Sequence, residues 1–464
     1  MGRKGTLFQL RIKARSLIYL SEAKMDKNST IGNQKIASLF DCGTFVEIGA
    51  YIKRCGADSA YDGVICGYGS VSGKLAFAFV QDSDRTLGAF DEVGAKKISM
   101  LYDMAIKNGA PVIGVFDSAG AAVLEGSAAL SAYGSFMANV AKASGIIPQI
   151  AIIDGVCTGL SLCTSAMFDI IVKVDNKAQT YITATAKNNE KAIKPSIISE
   201  DEDKAFNIAR ELVEILPQNN NDNACIMSGD DAGRPVAIDG LTGKTLIEEL
   251  CDNGKFIELC ADAGKEIVCG LGFFGGVLCG IVASNNEING GKLTCRGVKK
   301  AIELISFCDR FNISLVTLVD CEGFGDHICS SSPATLVSAY ANSTNAKVTV
   351  VCGKAYGAGF TLLGSKSIGA DIEFATSNST ISVMSPESAV AFLMNDEITH
   401  EKSRAQVEAE WCENHASAVC AAEKGDIDDV ISKDEVRARI CAALYMLATK
   451  ADKTPDKKHF KVSL

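Results

Sequence analysis

No two cysteines of this chain stand three residues apart, although there are eighteen of them among 464 residues. That spacing rules out the Cys-x-x-Cys halves of a zinc ribbon, and their spread through apolar runs is unlike the dense framework of a small secreted disulfide protein. The pattern predicts reduced thiols that pack as small hydrophobes in a cytoplasmic protein. Histidine is sparse: His327, His400, His415 and His459 are scattered, and no metal site is expected. No stretch of about 20 apolar residues, the length of a membrane span, occurs. The longer apolar runs are interrupted, for instance at Asp169 and Lys173. Positive charge is not in excess, the formal net charge being -10, so a general nucleic-acid-binding face is not expected. Absent too are the Gly-x-x-x-x-Gly-Lys-Ser/Thr phosphate loop, the Gly-x-Ser-x-Gly nucleophile elbow and any obvious nucleotide fingerprint. Reaction chemistry supplied by a second molecule fits those absences.

Apolar residues make up 47% and charged residues 22%, the balance of a soluble globular protein. The chain is too long for one ordinary core, and two domains of about 200 residues fit the usual range. A repeat marks them. From Pro111 the chain reads Pro-Val-Ile-Gly-Val-Phe-Asp117-Ser118-Ala119-Gly120, then a helical stretch, then Ile147-Pro-Gln-Ile-Ala-Ile-Ile-Asp-Gly155-Val-Cys-Thr-Gly159-Leu160. From Ser314 it reads Ser-Leu-Val-Thr-Leu-Val-Asp320-Cys321-Glu322-Gly323, a helical stretch, then Lys347-Val-Thr-Val-Val-Cys-Gly353-Lys-Ala-Tyr356-Gly357-Ala358-Gly359-Phe360. Each copy is a buried-type β run ending in Asp and a glycine turn, followed by a second β run whose glycine turn opens a helix.

The duplication extends beyond these segments. Short alternating runs at 44–48, 64–71 and 74–80 precede a helix near 92–107, and runs at 255–259, 267–272 and 276–283 precede a helix near 298–310. Between the copies lies a polar stretch, 186–234, with one amphipathic helix near 203–216 that ends at Pro217. The expected domains are therefore 1–240 and 241–464. The first 25 residues read as a plain N-terminal helix, 401–450 as mostly helical and 454–464 as a basic tail.

Strands alternating with helices give an α/β domain whose turn amides face a crevice at the strand ends. Two such amides about 3 Å from one oxygen make an oxyanion hole, which stabilises the charge that develops on a thioester carbonyl as it enolises. Small residues belong there because the substrate approaches the backbone closely. Asp117-Ser118-Ala119-Gly120-Ala121 and Tyr356-Gly357-Ala358-Gly359-Phe360 are both of that type.

From about Gln34 to Leu464 the sequence resembles the carboxyltransferase subunits of biotin-dependent acyl-CoA carboxylases and decarboxylases. The resemblance rests on Tyr61-Asp-Gly-Val-Ile-Cys-Gly-Tyr-Gly, Asp117-Ser-Ala-Gly-Ala with Glu125-Gly126, Ile147-Pro-Gln-Ile-Ala-Ile-Ile, Cys157-Thr-Gly159 and Leu216-Pro-Gln-Asn-Asn. Further segments are Leu315-Val-Thr-Leu-Val-Asp320, Lys354-Ala-Tyr-Gly-Ala-Gly-Phe, Leu363-Gly-Ser-Lys-Ser-Ile-Gly-Ala-Asp371, Ala421-Ala-Glu-Lys-Gly-Asp-Ile-Asp-Asp-Val-Ile and Pro455-Asp-Lys-Lys-His459. It implies an α/β fold of two tandem crotonase-like domains, with acyl-CoA in the N-terminal domain and biotin in the C-terminal domain of a second subunit within a hexamer or dimer. By that resemblance the amides of Ala119 and Gly120 hold the thioester oxygen, with Ala121, Gly159 and Leu160 around the acyl-CoA. Those of Ala358 and Gly359 hold the biotin ureido oxygen, with Gly323, Phe324, Tyr356, Gly357 and Phe360 around it, and Thr361 falls where acyl-chain size is set.

The chain has no Ala-Met-Lys-Met biotinylation motif, Ala23-Lys24-Met25 lacking the first methionine, and no ATP-binding half. The implied partners are therefore a biotin carboxyl carrier protein and either a biotin carboxylase or membrane decarboxylase subunits. The alternatives are a decarboxylase subunit for methylmalonyl-, malonyl- or glutaconyl-CoA in a sodium pump, and a catalytically silent scaffold. The last is motivated by departures from the family pattern: Ala119 where glycine is usual, Ala122 where arginine is usual, and shortened stretches after Thr185 and after Phe324.

Overall fold

The computed structural model describes residues 30–52, 62–183, 192–223, 225–227 and 229–452. The expected N-terminal helix, Tyr61, residues 184–191 and the 455–459 segment lie outside them. Two compact units meet between Asp222 and Asn223. That is earlier than the expected boundary at 240, because the intervening residues pack with the second unit. Met227 N–H donates to Gly276 O, Leu278 N–H to Cys225 O, and Val236 and Ile238 enter the second core.

In the first unit, helix α1 (Ile31–Leu39) precedes β1 (Val46–Glu47) and the hairpin of β2 (Val64–Val71) with β3 (Lys74–Gln81). Then come α2 (Glu92–Asn108), β4 (Val112–Ser118), α3 (Ser127–Ala143), β5 (Gln149–Thr158), α4 (Leu160–Ser165), β6 (Ile170–Val174), β7 (Gln179–Tyr181), β8 (Ile197–Ser199) and α5 (Glu202–Ile215). The sheet runs β1-β2-β3-β4-β5-β6-β8, with β7 against β5. It is antiparallel through β3 and parallel from there on. Parallel strands need crossover helices, and α2 shows how local chemistry sets one. Asp91 caps it by accepting from Gly94 N–H, Gly109 ends it in left-handed conformation, and Ile98, Leu101, Tyr102 and Ala105 turn one face inward.

The second unit repeats the plan. Its elements are α6 (Gly243–Leu250), β9 (Phe256–Leu259), β10 (Ile267–Phe274), β11 (Val277–Ser284), α7 (Cys295–Arg310), β12 (Ser314–Cys321), α8 (Ser331–Asn342), β13 (Lys347–Tyr356) and α9 (Ala358–Leu362). There follow β14 (Ile372–Thr376), β15 (Thr380–Ser382), α10 (Pro386–Leu393), α11 (Arg404–Trp411), α12 (Ala418–Glu423), β16 (Asp429–Ile431) and α13 (Val436–Leu447). The order β9-β10-β11-β12-β13-β14-β16, with β15 against β13, matches the first sheet strand for strand. The 401–450 stretch is helical except for β16, which three residues cannot announce by periodicity and which exists because β14 offers it an edge. Gly270-Leu-Gly272-Phe-Phe-Gly275 does spell the dinucleotide string. It lies in β10 and the antiparallel turn into β11, with no helix after it, so it lacks the strand-to-helix context that string needs.

The cores differ in content. Phe79, Phe90, Phe116, Tyr133, Phe136 and Phe168 form an aromatic cluster in the first unit, Phe79 meeting Phe116 and Phe136 edge-on at 5.6 and 5.4 Å. The second core is aliphatic, with Cys251, Cys279 and Cys441 among Val, Ile and Leu. Of the seventeen described cysteines eight are buried; Cys42, Cys163 and Cys329 are exposed, so packing does not account for all of them.

Candidate active site

β4 and β5 end side by side, Ser118 pairing with Cys157, and β12 and β13 do the same at Cys321 and Ala355. Beyond each pair the backbone makes the same turn twice. Gly120 and Gly323 take φ 105 and 108, and Gly159 and Gly357 take φ 54, ψ -119 and φ 50, ψ -110, regions that only glycine enters readily. Ala119 N–H donates to Leu87 O and Glu322 N–H to Gly290 O, both at 3.0 Å. Gly120 N–H is held by Ser118 Oγ at 3.1 Å, and Gly323 N–H by Cys321 Sγ at 3.4 Å. Gly159 and Gly357 donate to Tyr181 O and Ser382 O, both at 2.8 Å.

The expected donors Ala119 and Gly120 both have their N–H groups engaged by internal acceptors, Leu87 O and Ser118 Oγ. The N–H groups of Ala121 and Leu160, one from each turn, make no internal hydrogen bond among the described residues. The corresponding pair in the second unit is Phe324 and Ala358, followed by Gly359 at the second position of α9. Ala122, in the place of an arginine, keeps the turn closed through its N–H to Phe90 O at 2.9 Å, a bond independent of the side chain. Glu125 accepts from Glu92 N–H at 3.1 Å and so caps α2.

In the second unit the turns open on a cleft of about 630 Å³ lined by Gly323, Phe324, Tyr356, Gly357 and Ala358 together with Val383 and Met384. Lys354 Nζ lies 2.7 Å from Glu322 Oε1 at its mouth. Phe360 and Thr361 belong to an adjoining cleft of about 510 Å³ shared with Leu393, Trp411 and His415. Tyr356 is buried, which pushes its phenol up to about 12 and makes it a wall and not a base. Val383 and Met384 carry no sequence signal, and Lys354 figures there only as part of the repeat and of the resemblance. The first two come from the segment after β15, whose place beside the glycine turn is set by sheet pairing.

Behind the first unit's turn, Lys35 is 3% exposed with Nζ 3.1 Å from Asp117 Oδ2 and 2.8 Å from Asp154 Oδ2. Burial opposes its charge, but the two carboxylates outweigh burial and hold the ammonium above its ordinary pKa. Asp117 also accepts from Ser83 Oγ at 2.7 Å and Val156 N–H at 3.2 Å, which ties the ends of β4 and β5 together. The second unit keeps the last bond, Lys354 N–H to Asp320 Oδ1 at 2.9 Å, but among the described residues no lysine stands between two carboxylates there. A cavity of about 260 Å³ lined by Leu246, Asn286, Asp320 and Cys352 stands in its place.

Two repeated α/β units with amide-bearing turns at paired strand ends define a carboxyltransferase of the crotonase type. The chain belongs to the carboxyl transferase family, whose domain model matches residues 23–192 and 195–462. It is 31% identical to the propionyl-CoA carboxylase beta chain of Saccharopolyspora erythraea, over 94% of this chain and 91% of that one. It is 33% identical to the methylmalonyl-CoA decarboxylase subunit alpha of Propionigenium modestum, over 93% and 92% of the two chains. The crystal structure of the transcarboxylase 12S hexamer with hydrolysed methylmalonyl-coenzyme A superposes with a TM-score of 0.88 at 29% identity, covering 100% of this chain and 98% of that one. Carboxyl transfer is the activity these relatives share with this chain.

Proposed function

We propose that this chain moves CO2 between carboxybiotin on a separate carrier protein and the α-carbon of a short-chain acyl-CoA. The N–H groups of Ala121 and Leu160 hold the thioester oxygen, and those of Phe324, Ala358 and Gly359 hold the ureido oxygen. The observation that carries this reading is the pair of unused amides found at the same place in both repeats. When bound, carboxybiotin would supply the CO2 and, once that has left, a ureido nitrogen able to accept the acyl α-proton. Donors fixed by strand ends need no reorganisation as charge builds, so Ala121 and Leu160 favour the enolate over the resting thioester. No side-chain base is required. The apolar side chains of Phe324, Val383 and Met384 on this cleft suit a planar ureido ring. Thr361, narrowing a cleft with Trp411 and Leu393, limits the length of the acyl chain.

The hexamer named for transcarboxylase 12S supports a homo-oligomer, hexamer or dimer; we place it in the cytoplasm, working with a biotin carboxyl carrier protein and either a biotin carboxylase or membrane decarboxylase subunits. Similar identity to a decarboxylase subunit and to a carboxylase beta chain supports both directions, since the same donors stabilise the same enolate whichever way CO2 travels. A silent scaffold has no need of unused amides at both turns. The test is decarboxylation of malonyl-CoA or methylmalonyl-CoA in the presence of free biotin. Enzyme-dependent turnover is expected; no turnover together with no CoA binding by calorimetry overturns the reading.

A further inference from the structure

Beside the second turn lies a thiol pair. Cys295 is the first residue of α7, a helix of sixteen residues, and Cys329 lies just before α8, one of twelve. Their Sγ atoms are 3.3 Å apart, and Cys329 N–H donates to Cys295 Sγ at 3.3 Å. Ser331 Oγ and Ser332 Oγ stand 3.3 and 3.5 Å from Cys329 Sγ. The Ser331 and Ser332 hydroxyls, then the Cys295 thiol, lower the Cys329 thiol to about 6, while its side chain is open to solvent. A low-pKa, accessible thiol beside a resolving thiol is the arrangement of redox-sensing cysteines. The deeply packed thiols behave in the opposite way: burial pushes Cys251 and Cys269 up to about 12.

The connection to the site is short. Cys329 follows Phe324 by a loop that passes through left-handed backbone at His327, φ 62. The residues before Cys295 are bonded to the turn itself, Leu293 N–H to Gly323 O and Gly325 N–H to Leu293 O, both at 2.9 Å.

We propose that Cys295 and Cys329 are an oxidation site for peroxides, and that the disulfide they form displaces the loop carrying the Phe324 N–H and slows carboxyl transfer reversibly. The Cys329 thiolate attacks one peroxide oxygen, the O–O bond breaks, and hydroxide leaves and is protonated to water, giving a sulfenic acid. The Cys295 sulfur then attacks the sulfenic sulfur, the S–O bond breaks, and the hydroxyl departs with the Cys295 proton as a second water. Two thiols have lost two electrons and the peroxide has gained them. Closing the sulfurs from 3.3 Å to a bond of about 2.05 Å draws them together by about 1.2 Å. Misplacing a catalytic donor by about 1 Å can cost on the order of 10²-fold in rate. The rate effect rests on the transferase reading above, whereas the thiol chemistry does not.

The experiment treats the full chain with stoichiometric hydrogen peroxide at pH 7, then maps peptides and measures turnover with and without dithiothreitol. A peptide linking Cys295 to Cys329, a loss of two hydrogens from the intact mass, and a fall in turnover of about ten- to a hundredfold that dithiothreitol restores are expected. Cys295→Ser traps sulfenic acid at Cys329, detected with dimedone, and Cys329→Ser keeps its basal turnover and ignores peroxide. If iodoacetamide labels Cys329 no faster than Cys42 or Cys163 and no linked peptide forms, the site is overturned. A linked peptide with unchanged turnover overturns the coupling to the loop. A reduced enzyme that turns over nothing, yet forms the linked peptide, refutes the transferase reading and leaves the thiol pair standing.

Discussion

The two halves keep the same backbone and part company in their side chains. At the strand ends of the first unit Lys35 neutralises Asp117 and Asp154 inside a closed interior. At the matching place in the second unit, Leu246 and Cys352 border a cavity. Yet the turns in front of these two interiors agree bond for bond, Ala119 with Glu322, Gly120 with Gly323 and Gly159 with Gly357. The difference teaches which layer of a duplicated fold carries the chemistry. The turn amides are held by ladder pairing and by glycine conformations, so the interior behind them can drift from a packed ion cluster to a cavity of mixed lining without moving them.

The comparison breaks most readily at Lys35. Lys35→Leu, which imports the second unit's residue, leaves the buried Asp154 with only Lys177 Nζ at 3.5 Å and the partly buried Asp117 with no ammonium, and is expected to cost about 3 kcal/mol in urea unfolding. Lys35→Leu with Asp154→Cys removes one of the two charges and is expected to recover part of that loss. Next come the unused amides. Leu160→Pro and Ala358→Pro each delete one N–H at a first helical position, where proline is tolerated. Each is expected to lower kcat on the order of 10²–10³-fold with the circular dichroism spectrum retained. Equal losses make the two turns equivalent partners; a loss confined to one would show that only one half stabilises charge.

A different kind of effect, a slope with pH, is expected at Glu373, where burial holds the carboxyl above its ordinary range as it does that of Asp154 in the first unit. Burial pushes its carboxyl up to about 8, against the Lys366 N–H that donates to Oε2 at 2.6 Å, and Oε1 has no partner. The native state therefore keeps a proton that the unfolded chain releases above its ordinary carboxyl range. Stability falls as pH rises between the ordinary value of 4.5 and about 8, by up to about 1.4 kcal/mol per pH unit. In Glu373→Gln this slope disappears, so the gain of the variant over the parent grows from pH 5 to pH 8 in paired urea titrations. The smallest effect is Cys352→Val, which fills part of the second unit's cavity and is expected to add on the order of 1 kcal/mol or less to the unfolding free energy.

Much of the fold was legible because its signals are local. β2 was expected over 64–71 and spans Val64–Val71, and α2 and α5 fall within one residue of their expected limits. Apolar periodicity, Asp91 and Asp201 as caps and Gly109 as a stop are read within a few residues of themselves. The glycine turns were legible for the same reason, Gly120, Gly159, Gly323 and Gly357 each standing where φ is positive.

Which amide is left over at each turn was not legible. Part of that depends on an acceptor distant in the chain, Leu87 O, which engages Ala119, and part on a local one, Ser118 Oγ, which engages Gly120 and is itself anchored on the distant Gly88 O. The same holds for β16, which depends on the edge of β14, and for the place of Val383 and Met384 beside Tyr356. Spacing and repeat thus give the two-unit architecture and the glycine turns, and the family comes from the resemblance of whole segments. Tertiary pairing decides which of the turn amides are left over, because a hydrogen bond such as that of Ala119 N–H to Leu87 O joins residues far apart in sequence and leaves no trace in either segment.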